Sequence, residues 1–420
     1  MDRPKKPGGL LETPGRFEPA LLDQLSAPAT DLIAEISAGA AALGKALHPT
    51  TAANLADLIR VMNTYYSNLI EGHNTRPRDI ERALTGHLDA DHERRNLQLE
   101  AAAHVRVQKQ LDRLASEARL PEPASREFIQ FLHREFYRDA PLEMLTVRSS
   151  GRDDDGRSLK APAWKRSFKL VPGDWRSRHE HDVTVGRHLP PSSSRVEAFM
   201  QAFEERYRFE RMGKATRIMA IAAAHHRFNY IHPFPDGNGR VSRLMSHAMG
   251  LSAGIGSHGL WSISRGLARG RSRPAEYREM MDHADMPRQG DLDGRGNLSL
   301  RALTDFVTWF LQVCLDQISF MTGLLEIDSL ARRLRACVAR SEGRLHLAAG
   351  AVLEQVLMRG EIDRGEIARI SGLPERTARR VLNEIIKEGL LASETPKGPV
   401  SLRFPVAALD ILFPALYQGA

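Results

Sequence analysis

Cysteine is nearly missing from this sequence: Cys314 and Cys337 are the only two among 420 residues. Two cysteines cannot build a disulfide framework, and both stand in apolar, helix-like sequence, so a reducing, cytoplasmic setting is the expectation. Long apolar runs are missing too. The longest, around Ile218 to Ala224, is far too short to span a bilayer, and the opening MDRPKKPGGLLETPGRF has basic residues without the apolar stretch of a secretory leader. No membrane partner is expected. Nor is there a strong charge of one sign: 59 Lys+Arg against 52 Asp+Glu leave +7, which suits an anionic partner such as a nucleotide or nucleic acid without choosing one.

What is present is ordinary globular composition, 42% hydrophobic and 26% charged. The length predicts about two to four domains. Residues 1–19, rich in Pro and Gly, predict an arm that is flexible or becomes ordered on contact. Residues 20–118 read as helical, with Leu55, Leu58, Ile59, Met62 and Tyr66 spaced as one apolar stripe. Residues 119–340 continue mostly helical, through Ala124 to Tyr137 and Ser194 to about Asn229. Between Arg148 and Pro191 the periodicity breaks into Gly, Pro, Asp and Arg, and alternation survives only locally, in Asp182-Val183-Thr184-Val185. A long loop carrying a short hairpin is expected there, and loops of that length are commonly functional.

The densest chemistry lies in His232 to Arg243, HPFPDGNGRVSR. Pro235-Asp236-Gly237-Asn238-Gly239 is turn sequence, and helix-like Arg240 to Met249 follows. The backbone N–H groups of Gly237, Asn238 and Gly239 would then converge at a helix N-terminus, an anion hole suited to phosphate. Arg240 and Arg243 share one face near that end, where positive charge opposes the helix dipole and calls for an anionic partner. Asp236 adds a carboxylate that a phosphate-bridging Mg²⁺ would explain, and His232 can take a proton near neutral pH. The set reads as phosphoryl or nucleotidyl transfer, chemistry that needs positioning, charge neutralisation and a base.

This stretch resembles the signature of the Fic (Fic/Doc) family, His-x-Phe-x-Asp/Glu-Gly-Asn-Gly-Arg-x-x-Arg, at every specified position: His232, Phe234, Asp236, Gly237, Asn238, Gly239, Arg240 and Arg243. The approach Ala224 to Ile231 is similar as well, and the resemblance extends over about Thr50 to Phe320. It implies a mainly α fold, a Fic-type helical core with a short β-hairpin flap, and transfer of AMP from ATP to a protein hydroxyl. It also implies roles. His232 would be the base and Phe234 would hold the loop. Asp236 would bind Mg²⁺, Asn238 and the glycine amides would hold the α-phosphate, and Arg240 and Arg243 the β- and γ-phosphates. Gly173 to Pro191 resembles the flap, with Val183, Thr184, Val185 and Gly186 registering a target segment by strand addition.

A second constellation, Ser67-Asn68-Leu69-Ile70-Glu71-Gly72, ends the amphipathic helix. Gly72 suits the residue just past a helix, whereas Glu71 opposes the negative helix end and calls for a cation. Position alone favours a solvated glutamate. The resemblance reverses this, because Ser/Thr-x-x-x-Glu-Gly/Asn is the inhibitory motif of Fic proteins and here precedes the core. It implies that Glu71 pairs with Arg243 in place of the γ-phosphate, with Ser67 and Gly72 framing it, and that the same glutamate can serve AMP removal.

Two other patterns are rejected. His225, His226 and His232 match no zinc spacing. Asp291 to Gly296 imitates the start of an EF-hand, but Arg295 and Ala302 stand where oxygen ligands belong, so a tight turn is expected.

From 345 to 410 the pattern changes. Ala351 to Met358, Arg364 to Ile370 and Pro374 to Lys387 read as short helices around the turn Ser371-Gly372-Leu373, followed by two strands, a winged helix-turn-helix. Arg376, Thr377, Arg379 and Arg380 could face DNA, but Glu375, Glu384 and Glu388 nearly balance that helix, leaving DNA or a protein partner open. The leading expectation is a Mg²⁺- and ATP-dependent adenylyltransferase acting on a Tyr, Ser or Thr hydroxyl of a target protein and restrained by Glu71. A nucleotide-sensing DNA-binding regulator, AMP removal and transfer of another nucleotide or phosphate group are the alternatives, and a homodimer is left open.

Overall fold

A computed structural model describes residues 12–149, 166–185 and 188–417. Within them the chain is mainly helical: α1 (Ala27–Ala42), α2 (Pro49–Ile70), α3 (Pro77–Leu84), α4 (His92–Ser116), α5 (Arg126–Tyr137), α6 (Val196–Tyr207), α7 (Lys214–Ile231), α8 (Asn238–Ser252), α9 (Ile263–Arg269), α10 (Glu276–Ala284), α11 (Leu300–Leu324) and α12 (Ile327–Ala339). The C-terminal part adds α13 (Ala349–Arg359), α14 (Ile367–Ser371), α15 (Glu375–Lys387) and α16 (Leu409–Leu412). Local chemistry sets several starts. Ser26, Asp91, Ser125 and Ser299 cap α1, α4, α5 and α11 with side-chain oxygens, and Pro49 and Pro77 stand where a helix does not use its first N–H.

The predicted stripe of α2 is buried, with Leu55 and Tyr66 at 0% exposure. α2 packs on α4 and α9, α7 lies against α8, and α1 lies along α11. One continuous apolar cluster runs from Phe17 to Leu416, so the core passes through every part of the described chain. Both cysteines are free and buried. No single described helix is long and apolar enough to cross a membrane; α11 and α12 meet both conditions only as a pair, bent by 58° at their junction.

Three expectations are corrected. Residues 1–11 lie outside the described residues, but residues 12–19 are not a free arm. Phe17 is fully buried beside Phe199, Arg16 Nε donates to the Tyr230 hydroxyl at 3.1 Å, and Leu298 N–H donates to Glu18 O at 2.8 Å. One large apolar side chain and one guanidinium tie a composition that reads as flexible. The helix expected from Ser194 to Asn229 is two, broken by a 3-10 turn at Phe209–Arg211 and restarted at Gly213, where Arg217 Nε turns back onto the Phe209 and Met212 carbonyls.

The third correction concerns the hairpin. The ladder is formed by β1 (Thr146–Ser149) with β2 (Arg166–Lys169), antiparallel, pairing Thr146 with Lys169. Val183 and Thr184 lie in irregular chain, and Val185 makes only an isolated bridge to His188. Gly186 lies outside the described residues. The Asp182 carboxylate accepts from Ser193 N–H at 2.7 Å, and Val185 is exposed, so the alternation here has no apolar face to bury.

In the C-terminal part, α13, α14 and α15 pack beside β3 (Glu361–Ile362), β4 (Leu391–Ala392) and β5 (Val400–Leu402), ordered β3-β5-β4 and antiparallel. The strand β3 was not anticipated; at two residues it carries no alternation to read. This part rests on α2. Thr51 Oγ1 donates to Leu357 O at 3.3 Å, Tyr66 Oη donates to Leu416 O at 3.0 Å, and the Tyr65 and Tyr417 rings meet edge-on at 5.4 Å.

Candidate active site

α7 ends at His232, whose backbone is left-handed (φ 50°, ψ 59°), an unfavourable region for a residue with a Cβ. Arg176 holds it there. This guanidinium, 1% exposed, donates to His232 O at 2.7 Å, to Ile231 O and Ser193 Oγ at 3.0 Å each, and to Pro191 O, while its backbone N–H donates to Pro233 O at 2.9 Å. One buried cation thus closes the carbonyl end of α7 and carries the loop from Asp182 to Ser193 against it. Burial pulls the Arg176 pKa down to about 10, with Asp182 opposing, so it stays charged at neutral pH.

The loop to α8 turns around Phe234. Its ring is fully buried, stacked on His133 at 3.9 Å and against Trp175 at 4.6 Å. Asn238 accepts from Phe234 N–H at 2.9 Å and donates to Phe234 O at 2.8 Å. The resemblance implied a phosphate contact for Asn238; its side-chain amide is committed to the loop through both bonds to Phe234. Gly237 caps α8 with φ 79°, and a Cβ there would meet Tyr137 Oη at 2.9 Å.

Tyr137 Oη donates to Asp236 Oδ2 at 2.9 Å. His133 accepts from Gly173 N–H on Nδ1 at 2.8 Å and reaches Asp236 O through Nε2 at 3.3 Å. Asp236 is otherwise exposed, with Oδ1 unengaged among the described residues.

Burial, then the charge of Arg176 and nearby His188, pushes the His232 pKa down to about 4, against a hydrogen bond to the Asn229 carbonyl. His232 is therefore neutral at pH 7. One ring N–H is held by a backbone oxygen and the other nitrogen remains an acceptor, the protonation state a general base requires.

The two arginines of α8 are both occupied by carboxylates. Arg243 donates through Nη2 to Glu71 Oε1 at 2.6 Å and to Ser67 O at 3.2 Å, and through Nε to Ser67 Oγ at 2.9 Å. A Cβ on Gly239 would stand 2.3 Å from the same Glu71 oxygen, so that carboxylate lies over the first turn of α8, where an anion bound by the helix N-terminus would lie. Its surroundings alone would raise the Glu71 pKa, but Arg243 and then Arg240 outweigh them and hold it low. Gly72 (φ 89°) ends α2 just beyond.

Arg240 pairs with Glu100 of α4 at 2.6 Å and lies over the Phe136 ring, 5.5 Å from its centre. Burial leaves the Glu100 carboxyl above its usual range even against Arg240, with Asp236 and Glu71 pushing the same way.

Sequence reasoning missed Glu100, Arg176, His133 and Tyr137. Glu100 stands 140 positions before its arginine and Arg176 stands 56 before His232, and neither has a motif to mark it.

His225 and His226 have structural partners. His225 bonds Ser246 Oγ and Tyr277 Oη at 2.9 and 2.8 Å, and His226 meets Asp285 at 3.2 Å. Asp291 to Gly296 is irregular chain in which Asp293 accepts from the Gln289 and Arg301 N–H groups. Arg376, Thr377, Arg379 and Arg380 lie on α15, where Arg379 and Arg380 approach Glu375 and Glu384 at 3.5 and 3.6 Å.

A neutral histidine at the end of α7, the N–H groups that open α8, and two arginines of α8 paired with carboxylates make up the candidate site. Residues 154–249 match the Fic/DOC family, and the chain carries a Fic/DOC domain there. A 74-residue stretch is 38% identical to the protein adenylyltransferase Fic of Drosophila mojavensis and, over the same length and identity, to that of Drosophila erecta. The stretch is 18% of this chain, and the chain spans only 15% of those relatives' length. Among solved structures, a Fic family protein from Desulfovibrio desulfuricans G20 superposes with a TM-score of 0.52 over 92% of this chain and 98% of its own, at 16% identity, a likeness of fold.

Proposed function

We propose that this protein is a Mg²⁺- and ATP-dependent protein adenylyltransferase, moving AMP from ATP to a Tyr, Ser or Thr hydroxyl of a target protein, with Glu71 as its brake. The observation that carries the reading is the Glu71 carboxylate itself, held by Arg243 over Gly239 where a phosphate would bind. A fold that seats an anion there has the charge and space for another.

In the proposed reaction His232 accepts the proton of the target hydroxyl as its oxygen bonds to the α-phosphorus of ATP. The bond from that phosphorus to the bridging oxygen breaks, and pyrophosphate leaves. The N–H groups at the start of α8 hold the α-phosphate, and Arg243 and Arg240 meet the outer phosphates once Glu71 and Glu100 yield. Asp236 fits Mg²⁺: it offers one hard carboxylate oxygen with Tyr137 fixing the other, and no cluster of three or more metal-ligating side chains occurs among the described residues. That fits an ion bound by one carboxylate plus substrate phosphates. Bound there, Mg²⁺ would neutralise charge on the transferred nucleotide.

The segment from Gly173 to Pro191 would serve as the flap, with Val183, Thr184, Val185 and Gly186 presenting backbone to the target. The C-terminal three helices and three short strands read as a winged helix. Arg376 is its exposed arginine without an ion pair, while Arg379 and Arg380 face their own glutamates, which favours a protein partner over DNA. A cytoplasmic setting suits two free buried thiols.

The test incubates wild type, Glu71→Gly and His232→Ala with Mg²⁺ and ATP labelled at the α- or γ-phosphate and follows label on protein. The reading expects α-label that rises with Glu71→Gly and disappears with His232→Ala. Transfer of γ-label alone would make the protein a kinase. No transfer by Glu71→Gly would favour AMP removal or nucleotide sensing.

A further inference from the structure

α3 and the first two turns of α4 enclose a cleft of about 570 Å³, within the size range of small-ligand sites. Arg76, Arg78, Arg82 and Arg94 line it, against two carboxylates, Asp79 and Asp89. All four arginines are exposed, and none makes an ion pair or side-chain hydrogen bond among the described residues. Neighbouring Arg95, by contrast, is anchored on the Asp89 and Ala90 carbonyls.

The arrangement is unfavourable without a ligand. Arg78 and Arg82 are four apart on α3 and repel, and Arg78 and Arg94 stand in the first turns of their helices, where a cation opposes the dipole. Asp89 forms no ion pair with them among the described residues, its Oδ1 accepting instead from Asp91 N–H at 3.0 Å. The walls are nonetheless fixed. Gln98, 2% exposed, accepts from Asp89 N–H at 2.7 Å and donates to Asp79 O at 3.2 Å, bracing α3 against α4. Thr75, also lining the cleft, accepts from Asn68 Nδ2 at 3.2 Å, which ties the cleft to the last turn of α2.

We propose that this cleft is a second anion site, separate from the α8 N-terminus, that takes a small molecule carrying two or more phosphates. Four guanidiniums present planar pairs of donors matched to phosphate oxygens, and the two aspartates leave a surplus of two positive charges for the ligand. Diphosphate chemistry is shared by inorganic pyrophosphate and by nucleoside diphosphates, so both serve as probes.

The experiment is calorimetric titration of the full chain with pyrophosphate and with ADP, both without Mg²⁺, at two salt concentrations. It is run on wild type, on Arg243→Ala to remove the α8 site, and on Arg78→Gln/Arg94→Gln. These two arginines are exposed, so the double variant is expected to fold, and its melting temperature is recorded. The expected result is pyrophosphate binding that weakens with salt, survives Arg243→Ala and falls at least tenfold in the double variant. Equal ADP binding would place recognition in the diphosphate alone, and tighter ADP binding would make a nucleotide the occupant. Pyrophosphate binding abolished by Arg243→Ala, binding unchanged in the double variant, or no binding by wild type would overturn the proposal, as would capture of an acidic peptide with no phosphate binding. No transfer reaction is read, so the outcome is independent of whether the chain adenylylates anything.

Discussion

Glu71 and Arg243 face each other at 2.6 Å across 172 residues of sequence, the glutamate at the end of α2 and the arginine one turn into α8. The arginine side chain is 1% exposed and the glutamate 31%. The cation is therefore a fixed part of the core, and the anion is the partner with room to leave. Ser67 holds the guanidinium from below through both its hydroxyl and its carbonyl, so Arg243 keeps its place when the carboxylate moves.

Gly239 gives the first prediction. A methyl group there would stand 2.3 Å from the Glu71 oxygen and 3.1 Å from an Arg243 nitrogen, in the space that carboxylate and phosphate are proposed to share. Gly239→Ala introduced into Glu71→Gly should weaken Mg²⁺-ATP binding at least tenfold, measured by calorimetry. Unchanged affinity would mean that the nucleotide does not approach this turn of the helix.

Glu100→Gln keeps the shape of the side chain and removes its charge. Arg240, buried at its Nε without a partner, then keeps only a neutral acceptor, and the fold should lose roughly 1–3 kcal/mol. Mg²⁺-ATP should then raise the melting temperature of the variant more than that of wild type, because phosphate replaces the missing charge and binding adds to stability. Equal shifts in both would show that Arg240 never meets the nucleotide.

Acid should unfold this protein early. Burial pushes His104 and His225 down to about 3 and His133 and His232 down to about 4, against 6.5 for an unfolded histidine. A group whose folded pKa is depressed contributes stability above its unfolded pKa and loses it as pH falls toward the folded value. The window is therefore 6.5 down to about 4, where the unfolded chain takes up protons that the folded chain refuses. Glu81, raised to about 7 by burial, works the other way, as do Glu100 and Glu122, but they stand against seven histidines held below their usual range. Melting temperature should fall steadily from about pH 6.5 downward. Since His232 titrates near 4, any transfer rate should not decline between pH 8 and 6 through loss of its base.

The tail against α2 supplies a fourth prediction. Tyr66 and Arg265 hold the Leu416 and Ala415 carbonyls, and Arg265 also lies 3.7 Å from the centre of the Phe320 ring. Tyr66→Phe should cost about 1 kcal/mol and Arg265→Ala more, with faster hydrogen exchange at residues 409–417. If exchange rises in α2 as well, the helix that ends in Glu71 depends on this docking.

Local order explains which features were legible. The turn and helix from Pro235 to Met249 could be read because glycine, asparagine and arginine act there through consecutive backbone positions. The stripe of α2 could be read because burial repeats every three to four residues. The alternation in Asp182 to Val185 misled for the same reason. Two-residue periodicity extends into a strand only where an apolar face is there to bury, and here pairing stops at the Val185–His188 bridge, with Val185 exposed.

By itself the sequence determined the helical class, the glycine-rich turn before α8, and the histidine, carboxylate and arginines gathered around it, since each depends on neighbours within a few positions. Only the tertiary structure decided which charges meet. Glu100 on Arg240, Glu71 on Arg243, and Arg176 on the His232 carbonyl join residues 56 to 172 positions apart. Spacing cannot encode such pairs, because an ion pair between distant segments exists only when the packing of apolar faces has brought their helices together.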